Sequence, residues 1–165
     1  MKNNFFLILS PSEWSDNAVS NMQISAILSK NNKVVYVETI GTRLPKISEW
    51  RRVIGRILNF FMNNKIKKNT KGLDPLNVKI ISPLAIPFHK SNFINKVNVF
   101  LIRFQLRKFL KTKEKIYIWS FSPIWENFIN TIPNKFRIFH CVDALHTYDD
   151  THNYQSLFYE ALKKS

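Results

Sequence analysis

Residues 4–10 read NFFLILS, and Pro11-Ser12-Glu13 follow. An apolar run this close to Met1-Lys2 has two readings, a secretory leader or a first strand. It is too short for a leader, and Ser10-Pro11-Ser12-Glu13 offers no small-residue cleavage pattern. Its length and composition fit a buried strand. With a strand at 4–10, the chain downstream parses as alternating strands and helices.

Working outward, 11–17 is a loop. Residues 18–30 place Val19, Met22, Ile24, Ala26, Ile27 and Leu28 on a helix closed by Asn31-Asn32. KVVYVET at 33–39 is a β-branched second strand. Residues 47–65 carry Ile47, Trp50, Ile54, Ile57, Leu58 and Phe61 at helical spacing, and 65–72 is a basic loop. NVKIIS at 77–82 is a third strand, and 92–110 a second basic amphipathic helix. KIYIW at 115–119 is a fourth strand, 124–132 a short helix before Pro133, and FRIFHCV at 136–142 a fifth strand. A final helix spans 154–164. Strict alternation predicts an α/β fold: a Rossmann-like, doubly wound parallel sheet of about five or more strands with helices on both faces. The 165 residues suit a single domain, 1–165.

Composition narrows the function classes. The hydrophobic content of 45% supports a packed core rather than a disordered tail. One cysteine, Cys141, excludes an internal disulfide framework and fits a reducing compartment, so a cytoplasmic location is expected. No apolar run reaches the ~18 residues a spanning helix needs. The net charge of +14 calls for an anionic partner: nucleic acid, an acidic membrane face or a phosphorylated substrate. Nine of the 25 Lys and Arg lie in 43–71 and eight in 90–115, where the only acids are Glu49 and Glu114.

In an open parallel sheet, ligands bind at the carboxyl ends of the strands. Here those ends read Ser10 to Asp16, Glu38 to Arg43, Ser82-Pro83, Ser120 to Pro123 and Asp143 to His146. Polar and small residues gather at one rim, as a cleft requires, although strand ends are commonly polar. The three glycines, Gly41, Gly55 and Gly72, form neither G-x-G-x-x-G nor a Walker A loop. The usual backbone cradle for nucleotide phosphates is missing from the pattern.

The stretch FHCVDALHTYDD at 139–150 concentrates reactive side chains. His140 and Cys141 read as strand residues on opposite faces, Cys141 as an inert buried one. His146, Asp149, Asp150 and His152 fall in the loop beyond. Histidines six apart and a lone cysteine lack the tight pairs of a zinc site, so no metal is expected. Asp143 stands where the strand leaves the sheet, beside His146. It fits a general base, and it fits a turn or helix cap equally well in position.

Taken in order, P-S-E-W-S-D, K-V-V-Y-V-E-T, I-I-S-P-L-A-I-P-F-H, W-S-F-S-P-I-W and I-F-H-C-V-D-A-L resemble the N-terminal half of a GT-B glycosyltransferase. The resemblance is to those that build bacterial exopolysaccharide, teichuronic acid or capsule, and it covers nearly the whole chain. It implies an acceptor-binding Rossmann-like domain acting on a glycan or lipid-linked acceptor. The nucleotide-sugar donor is expected in a C-terminal domain absent from this chain or in a separately encoded partner, with no cofactor held here. Asp143 matches the strand-end carboxylate that deprotonates the acceptor hydroxyl in inverting members. Ser12, Trp14, Asp16, Ser122 and His146 match acceptor-side positions, and 153–165 matches the start of the interdomain helix. The resemblance also implies that the chain alone is inactive.

The resemblance gives the charge a use, because such enzymes are often peripheral to the inner face of the plasma membrane. Segment 47–68 combines Trp50 and its apolar neighbours with Arg51, Arg52, Arg56, Lys65, Lys67 and Lys68, the composition of an interfacial helix. The same pattern describes an ordinary sheet-covering helix with a solvated basic face. The 92–111 helix adds Lys96, Arg103, Arg107, Lys108 and Lys111. Two other classes stand beside this reading: a basic nucleic-acid-binding module and a stand-alone flavodoxin-like binding module. No helix-turn-helix, RNP or zinc-finger pattern accompanies the charge, so nucleic acid is not the expected partner.

Overall fold

The computed structural model describes residues 4–15, 19–38, 78–86, 92–111, 115–133, 135–141 and 152–165. Five strands form one all-parallel sheet. They are β1 (Phe5–Leu9), β2 (Lys33–Val37), β3 (Val78–Ile81), β4 (Ile116–Ser120) and β5 (Lys135–Phe139), in the order β3-β2-β1-β4-β5. The described helices are α1 (Ser20–Ser29), α2 (Asn92–Leu110), the short α3 (Glu126–Ile129) after a 3₁₀ turn at Pro123–Trp125, and α4 (His152–Lys164). The architecture is α/β and Rossmann-like.

The central strand β1 has no polar residue because both of its faces are covered. Its side chains alternate between two cores. Phe5, Leu7 and Leu9 join Val35, Val37, Ile102, Leu106, Ile116, Ile118, Trp125 and Phe128 on one face. Phe6 and Ile8 join Met22, Val34, Tyr36 and Phe121 on the other. Thus α1 covers the second face, while α2 and α3 cover the first. The edge strands β3 and β5 are only partly buried and carry Lys79, Lys135 and Arg137, as solvent-facing edges do.

Amide side chains on α2 hold the loop that follows β3. Asn98 accepts from the Ile86 N–H at 2.7 Å and donates to the Ile86 carbonyl at 2.9 Å. Gln105 makes the same pair with Leu84, at 2.8 and 2.9 Å. Residues 84–86 are therefore tied to a helix as a strand is tied to its neighbour, which satisfies backbone groups that would otherwise be buried unpaired. At the other end of the chain, α4 seats Phe158 and Ala161, with Phe158 edge-on to Phe139 at 5.8 Å.

Three sequence readings need correction. The helix expected at 124–132 is a 3₁₀ turn followed by four α-helical residues. Ser122 caps the turn and Pro123 starts it, so the segment begins tightly wound. Strand β5 ends at Phe139, which puts His140 and Cys141 just beyond it, and Cys141 is exposed rather than buried. His152 is the first residue of α4, not a loop residue.

Candidate functional site

The strand order reverses direction between β1 and β4, and a ligand crevice in such sheets opens at that switch point. The ladder runs one residue past each strand. Ser10 N–H donates to the Val37 carbonyl at 3.0 Å, Glu38 to Ile81 at 2.9 Å, Phe121 to Leu9 at 3.0 Å and His140 to Ser120 at 2.8 Å. Continuing the register by that step gives one transverse row at the carboxyl rim: Ser82, Glu38, Ser10, Phe121 and His140. All five lie on the α1 side of the sheet, two residues beyond Ile80, Tyr36, Ile8, Trp119 and Ile138.

The left half of this row is polar and tightly braced. The buried Ser10 hydroxyl donates to the Ser12 carbonyl at 2.9 Å. Tyr36 Oη and Asn21 Nδ2 each donate to it at 2.7 Å, and the Ser12 N–H does so at 2.9 Å. Asn21 also reaches Ser12 Oγ at 3.2 Å. Four residues from β1, its loop, α1 and β2 thus meet at one oxygen. Burial holds the Tyr36 phenol above its ordinary value, against the lowering effect of its bonds to Ser10 and Ser12, and nearby Glu38 adds to the rise. Glu38 itself accepts from the Trp14 N–H at 2.9 Å and from the Ser82 hydroxyl. Its carboxylate clamps the β1 loop to the end of β3.

The right half is aromatic. The His140 ring stacks on Phe121 at 4.9 Å and 25°, and Phe121 lies parallel to Trp119 at 6.1 Å and 3°. Trp125 joins the two halves by donating from Nε1 to the Ser10 carbonyl at 3.3 Å. Two further indoles, Trp14 and Trp119, bury their N–H groups with no hydrogen-bond partner among the described residues. Buried polar groups in native proteins are nearly always paired, so two unpaired donors on one face of the rim are unusual.

Of the residues singled out from sequence, Ser12 and Trp14 do come together here, Ser12 in the Ser10 hub and Trp14 edge-on to Tyr36 at 4.9 Å. Ser122 has a local task. Its Oγ accepts from the Ile124 N–H at 3.5 Å and its carbonyl from Ser120 Oγ at 2.8 Å. Asp16, Asp143 and His146 lie outside the described residues, as do Trp50, Arg51, Arg52, Arg56, Lys65, Lys67 and Lys68. Sequence reasoning placed Ser10, Glu38 and Ser82 on the rim but gave them no part in a site, and it missed Asn21, Tyr36 and the His140 stack. The polar residue closing each apolar strand was the available signal for Glu38. Nothing in the pattern marks Asn21, which sits on a helix 11 residues from its partner.

Among the described residues, no three His, Cys, Asp or Glu converge as a metal site would require. Nor is any described helix long and apolar enough to cross a membrane. The chain matches no known protein-family model, no curated protein and no solved structure.

Proposed function

We propose that this chain is the acceptor-binding domain of a glycosyltransferase, taking a hydroxylated, sugar-bearing acceptor at its carboxyl rim. The observation that carries the reading is the mixed row at the switch point. Glu38 and Ser82 stand on one side, with the Ser12 hydroxyl in the adjoining loop, and the half-buried His140 ring on the other, with the Trp119 ring two residues before the row. A sugar ring presents hydroxyls at its edge and C–H groups on its face, so it asks for this pairing of polar groups with flat aromatic surface.

The first loop supports the same division of labour. In dinucleotide-binding domains the turn after β1 is glycine-rich, so that the pyrophosphate can approach the backbone at the helix N-terminus. Here the space between that turn and α1 is filled by the side chains of Ser10, Ser12, Asn21 and Tyr36. The nucleotide-sugar is therefore assigned to a second domain or a partner protein. In the transfer step the acceptor oxygen attacks the anomeric carbon, the nucleoside diphosphate leaves, and a base accepts the hydroxyl proton. The resemblance assigns that base to Asp143.

The test is affinity for oligosaccharide and polyprenyl-linked sugar acceptors, measured with His140→Ala and Trp119→Leu alongside the parent. Both variants should weaken acceptor binding while leaving the fold intact. Tight binding of a nucleoside diphosphate that competes with no glycan would overturn the reading.

A further inference from the structure

The outer surface of α2 has a pattern that the sheet does not require. Its buried face is Asn98, Ile102 and Leu106. At 3.6 residues per turn, Phe93, Phe100 and Phe104 fall within about 20° of the line opposite Ile102. They are 74%, 68% and 42% exposed. A sheet-covering helix ordinarily turns polar residues to that line. Here three phenylalanines form a ridge, and bases flank it. Lys96 and Arg107 lie on one side, Lys108 on the other, and Lys111 continues the ridge. Arg107 packs its guanidinium over the Phe104 ring at 4.2 Å. No Asp or Glu occurs anywhere in 92–111.

We infer that the outward face of α2 docks on an anionic lipid surface, with Phe93, Phe100 and Phe104 entering the acyl boundary and the flanking bases meeting phosphate headgroups. An interfacial helix needs this arrangement, aromatic along one line and cationic beside it. Charge argues for lipid over a second copy, because two chains at +14 repel. The shape argues against nucleic acid. Base stacking uses aromatic platforms set in a basic cleft, and a line of phenylalanines on the outer face of a helix is not such a cleft. α2 begins at the carboxyl edge of the sheet, since it leads from the end of β3 to the start of β4, so Phe93 lies on the same side of the domain as the rim. A lipid-linked acceptor would then meet the rim from the surface that holds the protein. The docking itself rests on α2 alone. It can fail while glycan binding succeeds, and the reverse.

The experiment is co-sedimentation with vesicles of phosphatidylglycerol and phosphatidylcholine, against phosphatidylcholine alone, at low and high salt. A triple variant, F93S/F100S/F104S, removes the ridge without touching the core. The parent should bind the anionic vesicles, less so as salt rises, and the triple variant should bind at least about tenfold more weakly. If that variant does not fold, broadening of the Phe93 and Phe100 ring resonances by a spin-labelled lipid tests the same contact in the parent. The inference is overturned if the triple variant binds vesicles as the parent does, which would move the contact to another surface such as 47–68. It is also overturned if the ridge instead mediates self-association or duplex RNA binding with no affinity for vesicles.

Discussion

The Tyr36 hydroxyl donates to Ser10 Oγ at 2.7 Å, joining the end of β1 to the interior of β2 across 26 residues of sequence. Ser10 Oγ has three donors sharing its two lone pairs, so the two partners are not equivalent. Ser10→Ala leaves the buried Tyr36 hydroxyl with only the longer bond to the Ser12 carbonyl at 3.4 Å and removes the acceptor of one Asn21 bond and of the Ser12 N–H, at a cost of about 2–3 kcal/mol. Tyr36→Phe removes one donor of three and should cost about 1 kcal/mol. Urea unfolding midpoints check the order. A Tyr36→Phe variant less stable than Ser10→Ala would mean that the hub is organised differently.

The same phenol predicts an alkaline limb. Its folded value lies above the ordinary 10.0, so the folded state holds the proton more tightly than the unfolded chain does. The stability tied to this proton is complete below pH 10.0 and is lost as pH rises from there through the folded value. Tyr36→Phe should flatten that decline in a plot of Tm against pH. An unchanged slope would assign the decline to other groups.

On the opposite face, the buried Glu126 carboxylate receives Arg137 Nη2 on both oxygens. The pair ties α3 to β5, and Glu126 is wholly inaccessible to water. Removing one partner leaves the other charge buried alone. Glu126→Ala or Arg137→Ala should therefore cost about 3–5 kcal/mol. Replacing both by apolar residues of similar volume should cost much less than the sum. Denaturation of the two single variants and the double variant closes the cycle, and additive losses would contradict the coupling.

Near the last turn of α4, Lys164 holds the Glu160 carboxyl below its ordinary 4.5 by hydrogen bonding, with charge and Asn130 assisting. The sign is opposite to that of Tyr36. The contribution is present above pH 4.5 and disappears as pH falls through the lower folded value. Glu160→Gln should make the acid limb shallower. The pair is largely solvent-exposed, so the effect should also shrink with added salt.

The sheet was legible in the sequence because its central strands bury both faces. NFFLILS and KVVYV have the composition of such strands, and the helix at 92–110 has the bounds expected from its pattern. The hub was not legible, because it is made of side chains at 10, 12, 21 and 36. No periodicity links them, and they meet only once β1, α1 and β2 have packed. The exposure of Cys141 was missed for a related reason. An apolar-looking run at 136–142 says nothing of β5 being an edge strand that stops at Phe139. The phenylalanines of α2 show the converse. Their spacing was visible, but only the position of the buried face shows that they point outward.

The most direct test of the acceptor reading is the set of tryptophan indole N–H resonances, followed by NMR as a polyprenyl-linked sugar acceptor is titrated in. The Trp14 and Trp119 signals should move with the acceptor and stay still with a nucleoside diphosphate. An acceptor that leaves both signals in place, or a nucleotide that shifts them, would contradict that reading.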